Sequence, residues 1–228
     1  MPAVTHVVNH SISSNKFPEY WKAAKIIPLH KKEDLLEPKN YRPIAILPIF
    51  SKVLERAIFN QIFKYLSLNN LLHPNHHAYR PGHNTTNALI QMYDSWIGAV
   101  DDKELTAACL LHMSAAFDIV DHPLLLQKLE VYGFDRASLE LITSYLRNKR
   151  QCVSFSCSLS RLLPVTTGIP QGSILGLCLL LSCLKLFMIT QAHQNPSPAS
   201  TPAARTVAMW SVMLMTQLCL AQTKTQRS

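Results

Sequence analysis

Acidic side chains are few in this sequence, and none follows Gly176. The 228 residues carry 14 Asp and Glu against 22 Lys and Arg, which gives a formal net charge of +8. A basic chain favours a polyanionic partner, with nucleic acid first and an acidic membrane surface second. The segment beyond Gly176 cannot supply the carboxylate oxygens that a hard cation such as Mg²⁺ prefers.

Other absences narrow the class of protein further. The six cysteines form no C-x-x-C pair, so we expect buried free thiols in a reducing compartment rather than a zinc site or a disulfide framework. The N-terminus lacks a basic start followed by an apolar block, and the apolar run 174–184 is too short for a membrane span. We expect an intracellular protein with no membrane segment, and nothing in the sequence indicates a homo-oligomer.

The N-terminal half contains strands and amphipathic helices. Apolar runs at 24–29 and 44–47 predict short strands on either side of a charged loop. The run 51–66 predicts a helix because apolar residues recur every four positions, and Ser51 is a suitable N-cap. A second helix is predicted to begin near Asn84. Its apolar face is expected to consist of Leu89, Met92, Tyr93, Trp96 and Val100.

The C-terminal half continues this mixture up to about residue 190. The unbroken apolar run 105–111 predicts a buried strand. Asp121 is placed to cap the helix predicted at 122–132, and a second helix follows. The runs 151–156 and 161–167 predict a hairpin. Helices interspersed with separated strands indicate an α+β domain.

Four motifs occur in one order along the chain. They are "WKAAKIIPLHKK", "NYRPIAILPIFSKVLE", "SAAFDIVDH" and "GIPQGSILG". In this order the chain resembles, from about residue 17 to 176, the reverse transcriptase domain of non-LTR (LINE-type) retrotransposons. The resemblance implies a partial right-hand polymerase that copies RNA into DNA with two Mg²⁺ ions, and whose partner is an RNA template paired with a DNA primer. It places a fingers-like region at 1–104, an incomplete palm at 105–181, and an irregular or disordered tail at 182–228.

The loop "GIPQGS" is the first candidate contact with nucleotide or template. Gly168 and Gly172 permit close backbone approach, Pro170 stiffens the loop, and Gln171 offers both a donor and an acceptor to a base or sugar edge. The same residues would equally serve a tight turn. In the family this loop lies near the incoming nucleotide and the template. Phe117 resembles the aromatic residue that packs against the sugar and excludes a 2′-hydroxyl, although its own pattern favours a core residue.

Four cations are candidate phosphate contacts. Arg42 and Arg80 can each grip a phosphate through two donors, whereas Lys31 and Lys32 act as point charges. For the two lysines a solvated loop is an equally good interpretation. The resemblance implies that both arginines belong to the fingers and face nucleotide and template.

The metal-binding elements of the family are missing here. His112 stands where the family has its first metal-binding Asp, and an imidazole binds Mg²⁺ poorly and adds no negative charge. The family's second source of carboxylates, a Tyr-Ala-Asp-Asp turn, does not occur. Asp118 and Asp121 are interpreted as structural. A metal site is also not expected in the histidine-rich loop, because no Cys or carboxylate completes it; its members are His73, His76, His77 and His83.

These losses predict a chain that does not bind Mg²⁺ and is catalytically inactive. Two further hypotheses follow from the same residues. One is a non-catalytic, nucleic-acid-binding remnant with basic fingers, and the other is an unstable pseudogene product with no role.

A shift of reading frame explains the missing turn. Codons can be chosen for the segment 209–217 such that the same DNA also encodes Tyr-Ala-Asp-Asp in a second reading frame. That frame starts at the third base of the first codon of the segment. With the same offset, the segment 182–190 can be read as a sequence that resembles the family's continuation. We infer a frameshift between Gly176 and Ser182, after which the chain is out-of-frame translation.

The coding DNA from Gly176 to Ser228 tests this hypothesis. We expect codons that spell Tyr-Ala-Asp-Asp in the shifted frame across 209–217. Codons incompatible with that frame would mean that the tail is an authentic C-terminal sequence.

Overall fold

The computed structural model describes residues 2–31, 34–103, 106–110, 115–180 and 205–209, with 106–110 and 205–209 described by their backbone alone. These residues divide into two compact units, one built from Met1–Leu71 and Ala115–Cys183, the other from Leu72–Ser114 and Leu184–Ser228. Each unit is built from two separate segments of the chain, whereas the predicted regions are consecutive. The predicted boundaries after 104 and 181 therefore remain predictions.

A mixed β-sheet organises the first unit. Its strands are β1 (Ala23–His30), β2 (Tyr41–Ile46), β4 (Arg150–Phe155), β5 (Ser158–Leu159) and β6 (Leu163–Pro164). Strand β1 pairs antiparallel with β2 and parallel with β4, and both β5 and β6 pair antiparallel with β4.

Alternation of side chains explains the register of this sheet. Ala24 and Ile26 of β1 are buried together with Ala45 and Leu47, whereas the intervening residues of β1 are exposed or half-buried. A period of two places alternate side chains on opposite faces. The strands predicted at 24–29 and 44–47 are therefore confirmed. The predicted hairpin is confirmed by the antiparallel pairing of β4 with β5 and β6.

Four complete helices pack in the same unit: α1 (Pro2–Ser13), α2 (Ile49–Leu68), α4 (His122–Val131) and α5 (Arg136–Leu146). Residues 174–180, within the apolar run 174–184, are also helical and bury Leu175 and Leu179. The predicted cap of α4 is confirmed, since the Asp121 side chain accepts a hydrogen bond from the Leu124 amide. Helix α1 was not predicted.

Helix α2 agrees with its prediction in one respect and differs in another. The predicted apolar stripe of α2 is buried, with Leu54, Ile58 and Ile62 as members. Its predicted N-cap is wrong, because the helix begins after Pro48 and Ser51 lies inside it. Proline is favourable at the start of a helix because its φ angle is already helical, so α2 starts earlier than the polar residue suggested.

The second unit contains α3 (Thr85–Asp101) and the strands β3 (Thr106–Leu110) and β7 (Arg205–Met209). Helix α3 begins directly after Asn84, which confirms the predicted start, and the Asn84 side chain caps the helix by accepting a hydrogen bond from the Asn87 amide. The five apolar residues lie on one side of α3, as their spacing predicted, but Tyr93 is 62% exposed and the buried residues are Ala88 and Ala99. Small residues permit close packing on that side, which apolar spacing alone does not reveal.

The tail departs from the expected irregular structure at one segment. Strand β7 pairs in parallel with β3, with Thr106 opposite Arg205 and Leu110 opposite Met209. The predicted strand at 105–111 is thus confirmed as β3, whereas its predicted burial and the rest of the tail lie outside the described residues.

Cysteines and membrane segments complete the fold. Cys178 is buried as expected, but Cys152 is half-buried and Cys157 is exposed; none of these three forms a disulfide. In the described part of the chain, no helix combines the length and apolar character needed to cross a bilayer.

Candidate nucleic-acid interface

The Gly168–Ser173 loop is bonded to the turn that precedes α4. The Gly168 amide donates to the Val120 carbonyl at 2.8 Å, and the Ile169 amide donates to the Phe117 carbonyl at 2.7 Å. His122, the first residue of α4, donates from Nε2 to the Gly168 carbonyl at 2.8 Å. Three hydrogen bonds therefore join the third and fourth sequence motifs.

The other side of the loop is bonded to β2. The Ala45 amide donates to the Gln171 carbonyl at 2.7 Å. Gly172 has a φ angle of +115°, and a Cβ there would lie 2.6 Å from the Ala45 carbonyl oxygen. Only glycine permits this approach, so the loop also joins the second motif, whose strand carries Arg42.

Gly168 meets the same constraint against the turn. Its φ angle is +80°, and a Cβ would lie 2.8 Å from the Asp118 carbonyl oxygen and 2.9 Å from that of Phe117. These neighbours are backbone atoms that cannot rotate away. Glycines were expected here for close backbone approach, and the atoms that approach them belong to the backbone of the protein itself.

Glu55 holds the C-terminal end of the loop. This side chain of α2 is fully buried. Its Oε2 accepts hydrogen bonds from the Ser173 hydroxyl at 2.9 Å, the Ile174 amide at 2.8 Å and the Leu175 amide at 3.3 Å. Its Oε1 accepts from the Ser51 hydroxyl at 2.9 Å. A carboxylate here satisfies amides that begin the 174–180 helix and have no partner within it.

Two residues of α5 and its C-terminal extension complete this buried polar cluster. The Tyr145 hydroxyl lies 2.6 Å from the Ser173 hydroxyl oxygen. Burial, and to a smaller extent the charge of Glu55, raises the pKa of the Tyr145 phenol well above its usual value. The Lys149 ammonium lies 3.5 Å from the centre of the Tyr145 ring. Burial lowers the pKa of Lys149 to about 7; Glu55 opposes this shift and Lys22 adds to it.

The candidate cations differ in their placement. Arg42 is half-buried on β2, opposite Leu29 of β1. Lys31 directly follows β1, is exposed, and donates its backbone N–H to Asn40 at 2.9 Å. Arg80 is half-buried in the second unit. Lys32 lies outside the described residues.

Phe117 and Asp118 lie in the turn that receives the loop. The Phe117 side chain is 6% exposed, which agrees with a core residue. Burial raises the pKa of Asp118, and the nearby Lys31 charge opposes that shift. The Lys31 charge therefore acts on the Asp118 carboxyl within the first unit.

The described carboxylates do not fit a two-metal site. Asp121 accepts the helix-capping bond from Leu124, and partial burial leaves Asp118 easier to protonate than an ordinary Asp. Among the residues that the structure describes, no group of three or more His, Cys, Asp or Glu side chains could hold a metal ion. His112 lies outside these residues, so the structure adds nothing to its interpretation.

The histidine-rich loop forms hydrogen bonds within the second unit. His77 Nε2 lies 2.7 Å from the Gln91 side-chain oxygen, and His77 Nδ1 lies 3.1 Å from His83 Nδ1. Burial lowers the pKa of His76 to about 4. These contacts agree with the polar loop that the sequence analysis favoured over a metal site.

Comparison with known proteins decides the family. The family model described as reverse transcriptase (RNA-dependent DNA polymerase) matches residues 29–197. The chain belongs to this family. The match runs past residue 181, so the position of the inferred frameshift remains a question for the coding DNA.

The curated relatives narrow this to reverse transcriptase domains of non-LTR retrotransposons. The chain is 33% identical over 196 residues to the probable RNA-directed DNA polymerase from transposon X-element of Drosophila melanogaster, which covers 86% of this chain and 21% of the relative. It is 34% identical over 161 residues to the corresponding protein from transposon BS of the same organism, covering 70% and 18%. For the RNA-directed DNA polymerase from mobile element jockey, the identity is 30% over 171 residues, covering 75% and 19%. The chain thus spans about a fifth of the length of these relatives.

Sequence analysis did not single out Glu55, Tyr145 or Lys149. A usable signal existed for Glu55, which directly follows Leu54 and lies three residues before Ile58 on the predicted apolar stripe of α2. A carboxylate beside buried positions requires hydrogen-bond partners. Those partners are 118 to 120 residues away in the sequence, so local patterns could not name them.

Substitution of the loop glycine tests the close approach. We expect Gly168→Ala to lower the free energy of unfolding by more than about 2 kcal/mol, because it adds backbone clashes to the strain of a positive φ angle. Gly82→Ala is a matched control: its φ is +75° with nothing within 4 Å of the added Cβ, so a loss of about 1 kcal/mol is expected. Equal losses in urea denaturation would contradict the clash.

The buried Lys149 predicts an unusual dependence of stability on pH. Its pKa is about 7 in the folded chain and 10.5 as the ordinary value, so between these values only the unfolded chain holds the proton. The free energy of unfolding therefore rises with pH across this window, by at most about 1.4 kcal/mol per unit. We expect Lys149→Met to abolish this rise in denaturation curves measured from pH 6.5 to 10. Parallel curves for wild type and variant would contradict burial of the ammonium.

Proposed function

We propose that this chain is a reverse transcriptase domain that binds a template–primer duplex without extending it. The observation that carries the proposal is the loop Gly168–Ser173, which is bonded at once to the Arg42 strand and to the turn beside Lys31. This arrangement brings two cations and the loop into one region of the first unit. The printed names of the relatives supply the polymerase activity, which comes to this chain only as part of the proposal.

Each residue of this region has a role that follows from its chemistry. Arg42 would grip a backbone phosphate through two donors, and Lys31 would add a point charge. The Gln171 backbone carbonyl is engaged by Ala45, and the proposal assigns its side-chain amide to the base or sugar edge. Gly168, Pro170 and Gly172 set the loop's path, and Phe117 would form the floor beside the sugar. Lys32 and Arg80 are proposed as further phosphate contacts.

The lack of extension follows from the residues at the metal positions. In the family, Mg²⁺ ions about 3.5–4 Å apart would supply stabilisation of the transferring phosphoryl group. Here His112 replaces the first carboxylate, and beyond Gly176 the sequence offers none. Without either set of carboxylates, the region can bind phosphates through Arg and Lys but cannot bind the two Mg²⁺ ions.

Salt-dependent binding tests the proposal. We expect the full chain to bind an RNA–DNA duplex with an affinity that falls steeply as salt rises, because phosphate contacts release counterions. Arg42→Gln should weaken binding by roughly threefold to tenfold and reduce the slope of log K against log salt by about 1. Fluorescence anisotropy between 50 and 200 mM salt, a range of roughly fourfold, measures both quantities.

Arg136→Gln is the matched control. Its side chain is 94% exposed and pairs with Glu140, and it lies nine residues before Tyr145 on α5, roughly 13 Å along the helix. We expect the affinity and slope of wild type. If both arginines change binding equally, general charge rather than this region is responsible.

A further inference from the structure

The buried polar cluster around Glu55 has no place in the phosphate contacts proposed above. The cluster consists of Glu55, Ser51, Ser173, Tyr145 and Lys149, and every member is at most 4% exposed. It links α2, α5 and the end of the Gly168–Ser173 loop. No member of it reaches the surface where a duplex would lie, so any effect on binding must act through the loop.

The hydrogen bonds of Ser173 show how tightly the cluster determines the loop. Its hydroxyl has one proton, which is donated to Glu55 Oε2. The Ser173 Oγ itself accepts a hydrogen bond from the Gly176 amide at 2.8 Å. The remaining contact of Ser173 Oγ, at 2.6 Å from the Tyr145 hydroxyl, must therefore be donated by Tyr145. The Ser173 hydroxyl thus uses its donor and both acceptor positions, and only one orientation satisfies all three partners.

Glu55 determines this orientation from outside the loop. Its carboxylate receives Ser173 and the amides of Ile174 and Leu175, while Ser51 steadies its other oxygen. The start of the 174–180 helix and the last residue of the loop are therefore fixed to α2. The remaining loop residues are fixed by the bond between Ala45 and Gln171 and by those of Gly168 and Ile169 to the turn.

We infer that Glu55 is the positioning residue for the Gly168–Ser173 loop, and that its carboxylate sets the loop geometry on which duplex binding depends. The second half of this inference rests on the proposed function. An apolar residue of similar size would fill the same volume, but it would leave the Ile174 and Leu175 amides and the Ser173 hydroxyl without their acceptor. Buried groups left unpaired in this way favour an open arrangement of the segment that carries them.

Amide hydrogen exchange in the full chain without nucleic acid tests the positioning role. We expect Glu55→Met to accelerate exchange about tenfold or more at Ile174 and Leu175. The same acceleration is expected at Ala45, whose amide is bonded to Gln171 of the loop, and at Ile169, whose amide bonds the loop to Phe117. Glu55→Gln keeps an acceptor oxygen, so acceleration should be only about threefold. A role in packing alone would be served at least as well by Met as by Gln, and this ordering separates the two roles. Glu130→Gln makes the same chemical change on an exposed residue of α4 and should leave all four amides unchanged.

Two results would overturn the inference. Unchanged exchange at Ala45 and Ile169 in Glu55→Met, even with faster exchange at Ile174, would show that the carboxylate caps a helix without positioning the loop. If Glu55→Met does not fold, Glu55→Gln takes its place, and no acceleration at Ala45 and Ile169 would count equally against it.

Duplex binding is measured on the same proteins. We expect Glu55→Met to weaken binding about tenfold, and Glu55→Gln about threefold, with the salt slope of wild type because the phosphate contacts remain. Unchanged affinity in a variant with a loosened loop would overturn the link to binding. A wild-type chain that does not bind duplex would refute the proposed function, whereas the exchange result would still decide the positioning role.

Discussion

The hydrogen bonds to the Glu55 carboxylate connect parts of the chain that are more than a hundred residues apart. Four donors converge on this one side chain, from Ser51 on its own helix and from Ser173, Ile174 and Leu175. A buried carboxylate is costly unless it is fully paired. The position of α2 and the start of the 174–180 helix therefore depend on each other, and the sheet, the turn before α4 and the loop are arranged around that pairing.

This dependence identifies the contacts that hold the Gly168–Ser173 loop in place. The loop is held by backbone hydrogen bonds to Phe117, Val120 and Ala45 and by Glu55, and none of these contacts requires a metal ion. The contacts that hold the loop are separate from the positions that the resemblance assigns to metal binding, so the scaffold is compatible with the proposal of binding without extension.

Local patterns predicted much of the fold. The apolar run of β1, the recurrence of apolar residues every four positions in α2, the start of α3 near Asn84 and the cap at Asp121 all depend on a few neighbouring residues, and all are confirmed. What local patterns missed has tertiary causes: α3 is buried through Ala88 and Ala99 because close approach selects small residues, and Ser51, predicted as an N-cap, donates to Glu55 instead. The glycines of the loop were predicted as points of close approach, but their backbone partners lie about 50 and 127 residues away and no sequence pattern names them. The roles assigned to Arg42, Gln171 and Phe117 remain proposals.

Primer extension on a duplex that the chain demonstrably binds tests the central claim most directly. A labelled DNA primer on an RNA template would be incubated with the full chain, all four deoxynucleotides and Mg²⁺. The account predicts that the duplex is bound while the primer keeps its length, also after His112→Asp alone, because the second set of carboxylates is still missing. Mg²⁺-dependent extension by the wild-type chain, abolished in Gly168→Ala, would contradict it.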